Sequence, residues 1–289
     1  MELSAALQAL DRRLLELDSL LVAFSGGVDS ALLAARAHQL LGPRSLAVTA
    51  DSPSLADEQR QRARALAAEL GFAHELLPTG EIDDPLYARN ARDRCYHCKR
   101  TLFSALGPLA RERGLRHVAY GLILDDLREH LPGRQAALEA GAVAPLAEAG
   151  LGKAEVRALS RALGLPTWDL PASPCLASRL PHGTPVTVAA LRRVERAEAA
   201  LKALGLRELR VRDFGRRARV ELALAELQAR AGATAELAEA VRSAGYEQVE
   251  VDPRGYRRGS LGQLAPEVNP GARASGAHDP EQPDEEAGV

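Results

Sequence analysis

Apolar residues along this chain follow two spacings that alternate through the first 120 positions. Short apolar-rich runs at 20–24 (LLVAF), 45–50 (SLAVTA), 73–77 and 117–120 predict buried strands. Between them, residues 29–41, 55–70 and 99–113 repeat apolar positions at helical intervals, and Gly71 and Gly114 close the last two. Strands alternating with helices of this length predict an α/β fold, a parallel sheet with helices on both faces. Ligands of such sheets bind beyond the carboxyl ends of the strands. The strand ends at Ser25, Asp51 and Gly121 are therefore expected to face one site.

The pattern changes after position 166. Pro166, Pro171, Pro174, Pro181 and Pro185 crowd one stretch, which predicts a domain junction or a long functional loop. A helix is expected over 186–204. Alternating strands follow at 208–214 and 218–224, joined at Gly215, then helical segments at 226–229 and 234–244 and a strand at 246–251. This part reads as a small α+β domain. The expected division is 1–170, 171–260, and a Gly-, Pro- and acid-rich tail over 261–289 that is expected to be disordered.

Residues 1–20 alternate charge with leucine at helical spacing. They predict an amphipathic helix and not a signal peptide, which needs an unbroken apolar run, so a cytoplasmic protein is expected. No run approaches the roughly 18–20 apolar residues of a membrane span. The net charge is −2 and aromatic residues make up 3%, which leaves little for phosphate tracking or base stacking and argues against a nucleic-acid partner. The three cysteines are an odd number. In a reducing compartment that count argues against a disulfide framework and for metal or catalytic use.

Residues 25–30 read Ser-Gly-Gly-Val-Asp-Ser directly after the first strand. Two glycines let the backbone turn tightly and approach an anion, and the following helix aims free N–H groups and its positive end at it. Ser25 and Ser30 can donate to phosphate oxygens, and Asp29 fits a magnesium ligand or a helix cap. Gly-Gly alone would be an ordinary strand–helix turn. The complete SGGVDS run resembles the PP-loop of the ATP pyrophosphatase superfamily, whose members split ATP to AMP and pyrophosphate while adenylating an oxygen. That resemblance implies an adenine nucleotide alpha hydrolase-like fold. It implies ATP contacts at Ser25, Gly26, Gly27, Asp29, Ser30, Asp51 and Gly121, with Mg2+ on Asp29.

Cys95 and Cys98 form a Cys-x-x-Cys pair. Such a pair reads as a redox couple, half of a zinc site, two ligands of an iron–sulfur cluster, or two structural thiols. Cys175 sits in the proline-dense loop with Arg179 four residues on, where a cation would favour a thiolate.

Longer runs narrow the reading. YGLILDD (120–126), PGRQAA (132–137), LGKAEVR (151–157), LGLPTWDLPASPCLASRLPHG (163–183), RVR (210–212), RVEL (219–222) and DPRGYRRGS (252–260) resemble the LarE family, over residues 14–260. LarE-type enzymes adenylate a carboxylate of pyridinium-3,5-biscarboxylic acid mononucleotide and convert it to a thiocarboxylate, in synthesis of a nickel-pincer nucleotide cofactor. The resemblance implies either of two sulfur sources. Cys175 gives up its own sulfur, or Cys95, Cys98 and Cys175 hold a 4Fe-4S cluster whose open iron carries a sulfide. Three cysteines at these positions favour the cluster. The resemblance also implies catalytic roles for Cys175 and Arg179 and a pyrophosphate contact for Lys153. It places Ser178, Arg179, Glu198, Arg210, Arg212, Glu221 and Asp126 around a small-molecule nucleotide substrate. A sulfide or other sulfur donor is implied as partner, as is a homo-oligomer, dimer or hexamer. Other PP-loop activities, tRNA thiolation or amide formation, and a nucleotide- or metal-binding regulatory module are the competing expectations.

Overall fold

A computed structural model describes residues 2–128, 131–230 and 232–257. The predicted tail at 261–289 lies outside the described residues.

The first sheet is parallel throughout, in the order β3-β2-β1-β4, from β1 (Leu20–Ala23), β2 (Ser45–Asp51), β3 (His74–Pro78) and β4 (His117–Tyr120). Side chains alternate across it. Leu20 and Val22 of β1 and Ala47 of β2 join one core, while Leu21, Leu46 and Val48 join the opposite one. The first core is covered by α1 (Leu3–Leu17), α2 (Val28–Leu41), α3 (Asp57–Leu70), α7 (Pro145–Glu148) and α8 (Lys153–Ala162). On α1 the buried positions Ala6, Leu10, Leu14 and Leu17 form one stripe, as the leucine spacing predicts. Following the short α4 (Pro85–Ala88), α5 (Arg94–Glu112) and α6 (Pro132–Glu139) cover the second core.

The second sheet has the order β5-β6-β7. Here β5 (Leu209–Phe214) pairs antiparallel with β6 (Arg217–Leu222), and β7 (Gln248–Val251) adds in parallel. Helices α9 (Val188–Ala203) and α11 (Thr234–Arg242) bury Ala197, Leu201, Leu237 and Val241 against it. A short α10 (Leu224–Ala229) follows β6. Among the described residues no helix is long and apolar enough to cross a membrane.

The helix expected at 99–113 begins five residues earlier, at Arg94. Arg94 and His97, three apart, bury on one face of its first turn, so packing extends the helix through the Cys-x-x-Cys run.

Candidate active site

The chain order of the first sheet reverses between β1 and β4, the switch point where α/β sheets bind ligands. The Ser25–Ser30 turn sits there. Gly26 has φ +69°, and a Cβ on it would meet Ala63 at 3.5 Å. Ser25 N donates to Ser30 Oγ at 3.2 Å, the two hydroxyls lie 3.1 Å apart, and Ser30 Oγ donates to the Gly27 carbonyl. The turn is thus held open by its own serines. The first N–H groups of α2 have no carbonyl partner one turn back within the helix. Gly121 completes the cradle from β4. A Cβ there would stand 3.0 Å from Ser30 N, so only glycine lets the end of β4 approach the first turn of α2 this closely. The cradle suits a nucleotide polyphosphate.

Lys153, the first residue of α8, donates from Nζ to Asp29 Oδ1 and Oδ2 at 2.6 and 2.7 Å. Its own N–H donates to Asp125 Oδ2 at 2.7 Å. Asp125 therefore caps α8 and aims Lys153 at the turn. The resemblance singled out Asp126, whose Oδ2 instead accepts from Ile123 N at 3.2 Å. Asp51 stands apart from the cavity, held by Arg60 Nε at 2.7 Å.

In front of the turn opens a cavity of about 900 Å³, running to the second sheet. Ser25, Gly27, Asp29, Asp126, Lys153, Ser178, Arg210 and Arg212 line it, together with Gln59, Arg62, Arg94, Asp125, Arg157, His182 and Tyr256, which sequence reasoning did not single out. Arg62, Arg94, Lys153, Arg157, Arg210 and Arg212 place six cations there against the three carboxylates of Asp29, Asp125 and Asp126. An anionic ligand fits that surplus.

The far wall is the proline-dense loop. Proline has no N–H and irregular backbone forms no ladder, so this loop carries carbonyls that need donors. Side chains from several elements supply them. Arg157 donates to the carbonyls of Trp168 and Leu170, Arg210 to Ala172, Gln59 to Ser173, Arg179 to Pro174 and Cys175, Arg94 to Ala177, and Arg212 to Ser178. Arg179 is buried and bidentate to Glu198, with Nε–Oε1 and Nη2–Oε2 both 2.9 Å. Glu198 also accepts from Val211 N at 3.0 Å. Arg212 Nε and Nη2 both bond Glu221 Oε2, at 2.9 and 2.7 Å. Arg179 reaches the carbonyl of Cys175 and not its thiol, and like Glu198 and Glu221 it stands behind the cavity wall. The guanidinium of Arg210 is held below its ordinary pKa by burial, then by the nearby Arg179 charge, and lies over the Tyr256 ring at 5.0 Å.

Cys98 and Cys175 pack against one apolar cluster around Tyr87, Leu176 and Leu180, while Cys95 is exposed on the first turn of α5. Burial pushes the Cys98 thiol up to about 12. Cys98 and Cys175 thus share one neighbourhood, and Cys95 lies one helical turn from Cys98. As placed, no three His, Cys, Asp or Glu side chains among the described residues converge to hold a metal ion. The donor chemistry suits an iron–sulfur cluster; Cys95 would have to turn inward to join the other two.

Residues 3–97 match the asparagine synthase family. The chain is 45% identical over 251 residues to an uncharacterized protein of Synechocystis sp., covering 86% of this chain and 94% of that protein. It is 35% identical over 247 residues to the pyridinium-3,5-bisthiocarboxylic acid mononucleotide synthase of Lactiplantibacillus plantarum, covering 85% of this chain and 90% of that enzyme. An uncharacterized protein of Methanocaldococcus jannaschii is 25% identical over 203 residues, 70% of this chain and 77% of its own.

Proposed function

The chain belongs to the LarE family, that of the pyridinium-3,5-bisthiocarboxylic acid mononucleotide synthases, and from this premise we propose that it is an ATP-dependent sulfur transferase acting on pyridinium-3,5-biscarboxylic acid mononucleotide. One observation carries the reading. A phosphate cradle and a cation-rich cavity meet a wall whose backbone carries Cys175.

The first step is adenylation. A substrate carboxylate oxygen attacks the α-phosphorus of ATP, a P–O bond forms, and the bond to the bridging oxygen breaks as pyrophosphate leaves. The turn at Ser25–Ser30 and Gly121 holds the phosphates, and Lys153 follows the departing charge. Asp29 would hold Mg2+, which offsets pyrophosphate charge when bound. The second step is sulfur transfer to the acyl carbon, with AMP as leaving group. Arg179 and Glu198 fix the backbone of residues 174–175, and Arg212 and Glu221 fix Ser178, so the thiol-bearing loop meets the acyl adenylate in one position.

Cys95, Cys98 and Cys175 would hold a 4Fe-4S cluster, leaving one iron without a protein ligand, and such a cluster supplies a bound sulfide as sulfur source. If Cys175 is itself the donor, its Sγ attacks the acyl carbon and AMP leaves. Loss of the Cys175 Cα proton then expels the thiocarboxylate from Cβ and leaves dehydroalanine, with no net oxidation or reduction. A homo-oligomeric assembly belongs to this reading.

The test is anaerobic purification with iron and acid-labile sulfide analysis, followed by turnover with ATP and the biscarboxylate nucleotide and whole-protein mass. Repeated turnover at constant mass, lost in Cys95→Ala or Cys98→Ala, supports the cluster. Loss of one hydrogen sulfide from Cys175 without iron selects the sacrificial route. Absence of both pyrophosphate release and thiocarboxylate product would overturn the proposal.

A further inference from the structure

Most arginines in the cavity have spent their donors on the protein. Arg157 and Arg210 use both terminal nitrogens on backbone carbonyls. Arg212 gives its Nε–Nη2 edge to Glu221. Arg62 lies within 3.6 Å of Glu58, and its Nε is sealed without a partner.

Arg94 differs. It is buried, 6% exposed, and is anchored through Nη1 alone, to Asn90 Oδ1 at 2.5 Å and the Ala177 carbonyl at 2.8 Å. The anchor is itself fixed. Asn90 is fully buried at φ +56°, and its Nδ2 donates to the carbonyls of Pro181 and Thr184, both at 2.8 Å. A non-glycine residue in that backbone region persists only where its surroundings hold it there. Among the described residues Nε and Nη2 of Arg94 have no partner, both keep accessible surface, and the residue has no carboxylate within ion-pair distance. Nε and Nη2 are the parallel pair of donors that a carboxylate accepts bidentately. The charge is therefore partly desolvated, rigidly held, neutral on its protein side and open toward the cavity.

Its position narrows the ligand. Arg94 immediately precedes Cys95, and its Nη1 reaches the carbonyl two residues beyond Cys175. Arg94 thus lines the cavity beside the Cys175 loop, where the proposed sulfur transfer would bring the acyl carbon. Resting on the substrate proposed above, we infer that Arg94 binds the ring carboxylate of the pyridinium nucleotide that is not being adenylated. One carboxylate docks while its counterpart on the far side of the ring reacts. The docked group is an anchor, and Arg94 is a binding residue that sets which end of the ring meets the sulfur.

Two commercial probes isolate this contact: nicotinic acid mononucleotide, with one ring carboxylate, and nicotinamide mononucleotide, with a neutral amide in its place. Titration calorimetry of the full-length protein should show the acid bound at least tenfold more tightly than the amide. Arg94→Gln and Arg94→Lys should both bring that preference to within about twofold, because lysine keeps the charge but lacks the fork. The far-UV spectrum and the urea midpoint should stay close to wild type in Arg94→Lys, which shows the fold intact. Retention of the full preference by both variants would overturn the role of Arg94 while leaving the sulfur-transferase reading standing. Absence of any preference in the wild type, together with no pyrophosphate release on the biscarboxylate nucleotide, would remove both.

Discussion

Lys153 Nζ contacts both carboxylate oxygens of Asp29, the side chain that would hold Mg2+ in the proposed reaction. In the proposed reaction metal–ATP would part the two, Asp29 turning to the metal and Lys153 to pyrophosphate oxygens. Lys153→Met is expected to slow pyrophosphate release by about 10–100-fold at saturating substrates. It should barely move the melting temperature, since the lysine side chain is 42% exposed and such pairs add little stability. Asp29→Asn should be slower still and need more magnesium, and the double variant should be no worse than Asp29→Asn alone. A magnesium titration of pyrophosphate release checks all three. Additive losses would show that the two side chains act independently.

The Arg179–Glu198 pair makes an opposite prediction. It is buried on both sides, so removing one partner strands the other charge. Arg179→Leu is expected to cost about 3–5 kcal/mol in urea unfolding. Adding Glu198→Met should recover most of that stability without restoring sulfur transfer, because the carbonyls at 174 and 175 have lost their donor.

Acid should expose the same pair. Burial pushes the Glu198 carboxyl up, but the Arg179 guanidinium outweighs it and holds the group below its ordinary value of 4.5. A depressed carboxylate contributes stability that is full above that ordinary value and is lost as pH falls through the lower one. Unfolding free energy should therefore drop below about pH 4.5. The drop should be shallower in the Arg179→Leu, Glu198→Met variant, as urea midpoints between pH 3 and 6 would show.

Local signals made the phosphate turn legible in the sequence. Two glycines, a serine at each end and a following helix are enough to specify an anion cradle, and the strand periods specify the sheet around it. The arginines were not legible in the same way. Arg179, Arg210 and Arg212 suit a nucleotide by type, yet each donates to backbone carbonyls of a loop whose prolines lack N–H groups. Five prolines in twenty residues hold that signal, but only folding shows which side chains answer it. The start of α5 at Arg94 is likewise tied to distant residues, Arg94 to the Ala177 carbonyl and its partner Asn90 to that of Pro181, beyond the reach of local spacing. Asp125 and Asp126 are adjacent and alike, and only the geometry of α8 separates their partners.

Gly121 offers a steric test of the cradle. In Gly121→Ala the new Cβ would press on Ser30 N at 3.0 Å and on Asp29 at 3.3 Å, both in the first turn of α2. Overpacking against backbone costs about 1–3 kcal/mol, and here it displaces the groups that receive phosphate. ATP affinity should fall at least tenfold by calorimetry. Gly107→Ala is the control far from the turn, a helical position where the new methyl meets nothing within 4 Å apart from its chain neighbours, one of which is Pro108. Its propensity gain is offset by the clash of a Cβ with the ring of Pro108, so stability should change little, and ATP binding should stay unchanged. Equal ATP affinity in both variants would show that the close approach of β4 to the turn plays no part in nucleotide binding.

Cys98 and Cys95 lie one helical turn apart but should react very differently. The thiolate is the reactive form, and burial pushes Cys98 from the ordinary 9.0 to about 12. At pH 8 its alkylation should be about a thousandfold slower than that of an ordinary cysteine, rising about tenfold per pH unit. The exposed Cys95 should label first. Because the raised value favours the neutral thiol in the folded state, Cys98 contributes stability that is full below pH 9.0 and is lost as pH climbs toward 12. In the proposed cluster site Cys98 would ligate as a thiolate, so loading would release its proton. Reconstitution with iron and sulfide should consequently speed up as pH rises from 7 to 9, and it should leave both cysteines protected from iodoacetamide. Peptide mass spectrometry across that range decides the matter. Equal labelling of Cys95 and Cys98 at pH 8 would mean that the Cys98 thiol is not sheltered by the Tyr87 cluster, and the expected pH dependence of loading would go with it.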